Sequence, residues 1–300
     1  MMAYGKEAST RFLSEWCTNK HQVVLITGNH AFHSSGAAEW IMPLLQKQIV
    51  THLVVEGANP QAERVEILAK QLPETIDGFI AVGGGTVIDS AKLLRGLREI
   101  PLMAIPTTAG TGAEATRFAV YYKDGVKHSA DNLGYRPTDQ ILIPEFCDSA
   151  TSYQKAASAF DAYAQAVESL WARGATPESK DYARKALACM ENGEQLLGAY
   201  WAGCAIDISR TTAAHAFSYY MTAQYGIPHG HAVYMMFPYI CHANGHSEFI
   251  KHVPELQTLV DFVREKGLNW SEFIEQLFAN VNVQRLSNNP CEVRKEHFYV

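Results

Sequence analysis

Along the first half of the chain the spacing of apolar positions switches repeatedly between the helical and the strand period. An amphipathic stretch over Ala8–Cys17 gives way to the β-branched run Gln22–Thr27, which stops at Gly28-Asn29 and reads as a strand and its turn. A helical pattern over Ala37–Gln48, the short apolar run Thr51–Val55 and a helix over Gln61–Gln71 follow. Next come a second strong strand over Gly78–Val82, a helix from about Thr86, and a strand over Leu102–Ile105. Each strand sits between helices, which predicts a mostly parallel sheet covered on both faces, because parallel strands need crossover connections. Lys123-Asp124-Gly125 reads as a hairpin turn.

After Pro144 the pattern becomes helical throughout, with long periodicities over Ser152–Arg173, Ser179–Ala202, Ala213–Tyr225 and His252–Lys266. The chain therefore divides near residue 148 into an α/β domain, 1–148, and an all-α domain, 149–300. Two domains also suit 300 residues, more than one hydrophobic core usually holds. The balance of 47% hydrophobic to 19% charged residues belongs to a packed globular chain. A net charge of -6 with no Lys/Arg run argues against a nucleic-acid partner. No apolar leader and no run near 18 apolar residues is present, so neither secretion nor a membrane span is expected. Six cysteines without a C-x-x-C read as reduced thiols, which points to the cytoplasm.

Two loops carry the first chemistry. Ile80–Lys92 reads as a buried strand, the turn Gly83-Gly84-Gly85 and a helix beginning near Thr86. Glycines there let a pyrophosphate approach the backbone, and the helix N-terminus supplies N–H donors and partial positive charge. A tight turn without a ligand explains a bare Gly-Gly-Gly equally well. The second loop shifts that balance: Pro106–Thr116 places Thr107, Thr108, Gly110, Thr111 and Gly112 after another strand, where open α/β sheets bind ligands. Two such loops favour a dinucleotide site.

The pair Gly83–Lys92 and Pro106–Glu114 resembles the two nucleotide-binding signatures of the iron-containing (group III) alcohol dehydrogenases. The resemblance continues through Asp161, His215 and His229 to Arg285-Leu286-Ser287-Asn288-Asn289-Pro290, similar to that family's C-terminal segment. Tyr4-Gly5-Lys6 resembles the family's start of helix one, which implies that the usual preceding hairpin strand is absent. A narrower similarity, over Ala115–Ser129, Asp161–Ser169 and Gly226–Ala232, is to the branch containing phosphonoacetaldehyde reductases and octulosonate 8-oxidase.

This resemblance implies an NAD(P)-linked oxidoreductase acting on a small alcohol or aldehyde, a divalent metal, Fe(II) or Zn(II), and a homodimer. Gly83, Gly84, Gly85 and Thr86 would hold the pyrophosphate, flanked by Thr107, Thr108 and Thr111. Asp89 and Lys92 fit the cofactor-loop signature, although a surface ion pair is an equally good physical reading. Gly28 ends the first strand where related dehydrogenases carry an Asp that receives the ribose hydroxyls, so NADP(H) is accepted here as readily as NAD(H) or in preference to it. Should the substrate carry a phosphonate, Arg117 is the cation placed to receive it, with Lys127 and His128 behind.

Asp161 and Gln165 lie four apart in a helical pattern and so share one face. His215 lies in the next apolar helix and His229 follows a Gly-Ile-Pro turn. The family's metal is held by an Asp and three His; Asp161, His215 and His229 match, and Gln165 occupies the position of the first His. His231 reads as a substitute ligand, a proton relay, an anion-binding group, or a surface turn histidine. Tyr219, one turn after His215, would pack in the pocket with its hydroxyl near the substrate. Competing expectations are a sugar-acid alcohol oxidase of the same family, a metal enzyme of the dehydroquinate-synthase type, and a nucleotide-binding protein whose Gln165 marks a lost metal.

Overall fold

A computed structural model describes residues 1–57, 59–124 and 126–299. The chain packs as two compact units, Met1–Ala150 and Thr151–Val300.

In the first unit the elements run β1 (Met2–Tyr4), α1 (Lys6–Cys17), β2 (Gln22–Gly28), α2 (Ala31–Ser34), α3 (Ala37–Ile41), β3 (Ile49–Val55), α4 (Ala62–Lys70), β4 (Gly78–Gly83), α5 (Gly85–Arg95), β5 (Leu102–Pro106), β6 (Phe118–Lys123), β7 (Val126–Asp131) and β8 (Asp139–Leu142). Among the described residues, six strands form one parallel sheet in the order β1-β8-β5-β4-β2-β3. Side chains alternate across it: Val23, Leu25, Ile80 and Val82 join one apolar layer with Leu13, Trp40 and Ile41. Val24, Ile26, Phe79 and Ala81 join the other with Val65, Leu68 and Ile88. The inner strands are thus buried on both faces, as their near-continuous apolar runs require.

Two details differ from expectation and a third agrees with it. Met2–Tyr4, where the apolar pattern marked no strand, forms β1, which pairs in parallel with β8 and is no hairpin strand. The helix expected over Ala37–Gln48 is α3 followed by a short 3-10 turn, Met42–Leu45, because Pro43 lacks the N–H that an α-helix needs. Strands β6 and β7 pair antiparallel about the expected turn, whose Gly125 lies outside the described residues.

The second unit contains α6 (Ser152–Trp171), α7 (Pro177–Glu191), α8 (Gln195–Ser209), α9 (Ala213–Tyr225), α10 (His229–Asn244), α11 (Leu259–Glu265), α12 (Trp270–Ala279) and α13 (Val283–Leu286). The periodicity over Ser179–Ala202 resolves into α7 and α8, separated at Gly193, whose φ of 81° suits glycine and ends α7. That over His252–Lys266 shortens to α11, which starts after Pro254 with Thr258 as its cap. Helices α10 and α12 lie where the periodicity marked none. The core gathers Phe160, Tyr163, Trp171, Phe217, Met236, Phe237 and Ile274. No described helix is long and apolar enough to cross a membrane.

Candidate functional site

The glycine turn of the first unit is built by close approach. Gly83 closes β4, Gly84 is the N-cap of α5, and no side chain caps that helix. A Cβ at Gly83 would lie 2.6 Å from Val87, and at Gly84 and Gly85 it would lie 3.3 and 3.1 Å from the hydroxyls of Thr108 and Thr111. The two loops are therefore neighbours: the Thr107 N–H donates to Gly83 O at 3.1 Å. Gly28, at the end of β2, faces the same Val87 at 3.4 Å from its would-be Cβ. Because β3 and β4 flank β2 on opposite sides, the sheet changes winding direction between β2 and β4, and Gly28, Gly83 and the first turn of α5 sit at that switch point. Thr107 Oγ1 is buried with no hydrogen-bond partner among the described residues. An uncapped helix start, a glycine cradle and a spare hydroxyl fit a dinucleotide pyrophosphate.

Asp89 and Lys92 form no surface pair. Lys92 is fully buried, and its Nζ donates to Asp89 Oδ1 (3.2 Å), Thr116 Oγ1 (3.1 Å) and Phe118 O (2.6 Å). Asp89 Oδ2 accepts from the Val120 N–H at 3.1 Å. The two residues tie α5 to the segment that follows the threonine loop. Burial pulls the Lys92 ammonium pKa down against the opposing pull of Asp89 and Glu114. Burial likewise pushes the Glu114 carboxyl up, to about 7. Arg117 spends part of its charge on Asp131, 2.9 Å away.

In the second unit Asp161 and Gln165 are buried on α6, His215 is buried on α9, and His229 opens α10. One ligand atom from each of Asp161, His215 and His229 lies within 4.8 Å of the others. Asp161 Oδ1 is 3.2 Å from His215 Nε2 and 3.8 Å from His229 Nε2. Behind His215 stands Glu168, whose Oε2 lies 2.7 Å from Nδ1 and which also accepts from the N–H groups of Thr212 (2.7 Å) and Ala214 (2.8 Å). Burial pushes the Glu168 carboxyl up, but His215 and Thr212 outweigh it and hold it below the usual carboxylate range. Burial pulls the His215 ring down, yet Glu168 and Asp161 lift it to about 9.

Ser218 Oγ donates to His215 O (2.8 Å) and lies 3.3 Å from His229 Nδ1, a contact to which a ring protonated at Nδ1 would donate, with Nε2 on the side of Asp161. Tyr219 stands edge-on to His229 with ring centroids 6.4 Å apart. Gly230 brings α10 against α6: a Cβ there would lie 2.0 Å from Ala157 O and 3.0 Å from Asp161 Cβ. His231 is buried and turned elsewhere, with Nδ1 2.8 Å from the Tyr153 hydroxyl and Nε2 donating to Gln257 O at 2.8 Å. It is neither a surface turn residue nor a member of the ligand group. Glu168, Ser218 and Gly230 went unassigned in the sequence; the one available signal was Glu168, two helical turns from Asp161 on the same face.

A carboxylate and two imidazoles suit Fe(II) or Zn(II). A parallel α/β unit with a pyrophosphate cradle, followed by a helical unit with an Asp-His-His centre, defines a class of two-domain, metal-linked nucleotide proteins. Residues 2–144 match iron-containing alcohol dehydrogenase, and residues 155–298 match the C-terminal part of the Fe-containing alcohol dehydrogenase family. The chain belongs to the iron-containing alcohol dehydrogenase family. It is 30% identical over 223 residues to a phosphonoacetaldehyde reductase of Streptomyces viridochromogenes, a match that takes in 60% of this chain and 56% of that protein. It is 26% identical over 274 residues to an NAD-dependent methanol dehydrogenase of Bacillus methanolicus, covering 77% of this chain and 71% of that one. Sulfoacetaldehyde reductase from Bifidobacterium kashiwanohense, solved with NAD+, shares the fold with a TM-score of 0.84 at 22% identity, over 99% of this chain and 94% of that chain.

Proposed function

We propose that the chain is an NAD(P)-linked, metal-dependent alcohol dehydrogenase that interconverts a small aldehyde and its alcohol. The observation that carries the reading is the grouping of Asp161, His215 and His229, which three separate helices supply. When bound, a nicotinamide supplies a hydride donor or acceptor and a divalent metal supplies Lewis acidity toward the reacting oxygen.

The chain's own residues do the rest. Gly83, Gly84, Gly85 and Thr86 would receive the pyrophosphate at the start of α5, with Thr107, Thr108 and Thr111 beside it. Asp161 contributes the negative charge among the three ligands, and Glu168 and Ser218 orient the two imidazoles so that each Nε2 is the ligand atom. Gln165, buried one turn from Asp161, would add a weak amide ligand or hold a water. Tyr219 would border the substrate. Asp89 and Lys92 hold the cofactor loops by packing α5 on the β6 strand. Similarity to the phosphonoacetaldehyde reductase supports a small anionic aldehyde, and a homodimer goes with the family resemblance.

Purified protein stripped of metal and reloaded with Zn(II) or Fe(II) tests this in a screen of NADH and NADPH oxidation over neutral and anionic aldehydes. The expected result is turnover that needs metal and is lost in Asp161→Ala. A chain that binds neither metal nor nicotinamide, or turns over equally well without metal, overturns the proposal.

A further inference from the structure

The segment Arg285–Pro290 resembles a family motif, and the side-chain hydrogen bonds of its Asn288 and Asn289 go to residues outside the ligand group. Asn288 nevertheless uses every polar atom of its side chain. Its Nδ2 donates to Ser209 O (2.8 Å) and Thr211 O (3.0 Å), and its Oδ1 accepts from the Gly174 N–H at 2.9 Å. Between those two carbonyls sits Arg210 with φ 65°, a left-handed backbone that a non-glycine residue adopts only against a cost. Asn288 therefore clasps the α8–α9 connection on both sides of its strained residue. One residue further on, the Thr212 N–H donates to Glu168 Oε2, and Trp171 Nε1 donates to Thr212 Oγ1 at 3.1 Å. Glu168 in turn holds His215 Nδ1. The Asn288 amide, the Thr211–Thr212 peptide that accepts at its carbonyl and donates at its N–H, the Glu168 carboxylate and the His215 imidazole form one connected series.

We infer that Asn288 is a positioning residue for the metal centre: by holding the strained Ser209–Thr212 loop it presents the Thr212 N–H to Glu168, which aims His215 Nε2 at the ligand group. This rests on the metal reading above. The neighbouring Asn289 provides a contrast, because its side chain pairs with Asn244 and Cys291 O and does not touch the loop. A residue that served only to dock the C-terminal segment would behave like Asn289.

Zinc affinity of the metal-free full chain, measured by competition with a chromogenic chelator, separates these roles. Asn288→Ala should lower it about tenfold, near the low end of what outer partners of metal ligands cost, while NADH affinity stays within about twofold. Asn288→Asp, which keeps the acceptor for Gly174 and removes both donors, should do the same and guards against misfolding of the alanine variant. In both, the visible spectrum of Co(II)-loaded protein should shift. Asn289→Ala should lower the melting temperature and leave zinc affinity and the Co(II) spectrum alone. Wild-type zinc affinity in folded Asn288→Asp, or an equal loss in Asn289→Ala, overturns the inference and spares the metal reading. Wild-type protein whose zinc binding is absent, or insensitive to Asp161→Ala, overturns both.

Discussion

Nδ1 of His215 lies 2.7 Å from Oε2 of Glu168, and both side chains are buried. With Asp161 Oδ1 3.2 Å from its other nitrogen, the ring stands between two carboxylates. In the metal-free chain this favours the imidazolium, which raises the ring to about 9 despite burial. A metal at Nε2 must displace that proton.

Metal-free protein should accordingly lose stability in alkaline solution. A group whose folded pKa lies above its unfolded value of 6.5 contributes fully below that pH, and the contribution disappears as pH rises through about 9. Melting temperatures of the metal-free chain between pH 6 and 10 should fall over that upper range, and His215→Gln should flatten the fall. Calorimetric titration with zinc in buffers of different ionisation enthalpy should show proton release at pH 7.

Gly230→Ala should be severe for one methyl group, because its Cβ would lie 2.0 Å from a backbone oxygen of α6 that cannot rotate away. The helices must separate, at about 2–3 kcal/mol, and the displacement carries His229 from Asp161. Denaturant unfolding together with zinc content after dialysis checks both effects.

Gln165→His should tighten zinc binding, since imidazole is a stronger ligand than a neutral amide, and Gln165→Ala should weaken it by less than about tenfold. His231→Ala should retain zinc, because both ring nitrogens are engaged with Tyr153 and Gln257. Metal content of the three variants decides.

Cofactor choice should respond to Gly28. A Cβ there would meet Val87 at 3.4 Å, so a side chain can start from this position without a Cβ clash. Wild type should use NADPH at least as well as NADH, and Gly28→Asp should move the ratio of kcat/KM toward NADH by about tenfold, near 1.4 kcal/mol.

Lys92→Met should destabilise the first unit by about 3–5 kcal/mol, the usual cost of leaving one member of a buried ion pair uncompensated. Asp89 would lose its cationic partner, and Thr116 Oγ1 and Phe118 O would lose the donor that Lys92 supplies. Urea unfolding of the wild type and variant measures the difference.

Much of this architecture is legible along the chain because parallel strands buried on both faces write continuous apolar runs, as Gln22–Gly28 and Gly78–Gly83 do. The ligand group is legible as Asp161, His215 and His229 because their residue types are chemically distinctive. Helix α10 is not: His229–Asn244 is buried over most of its surface and includes Pro238, so it has neither an amphipathic period nor a clean helical composition. Gly230 is silent for a different reason, since a glycine declares its purpose only through the neighbour that a Cβ would strike. Asn288 is silent because its partners are backbone carbonyls, which have no identity in a sequence.

The three ligand side chains differ sharply in their access to water: His229 is 30% exposed, while Asp161 and His215 are 3% and 5% exposed. An ion bound there would reach water most readily past the imidazole of His229, which contacts Ser218, Tyr219 and His215. An outward rotation of the His229 ring at the head of α10 is thus the expected first step of exchange, while Asp161 and His215 stay almost wholly buried.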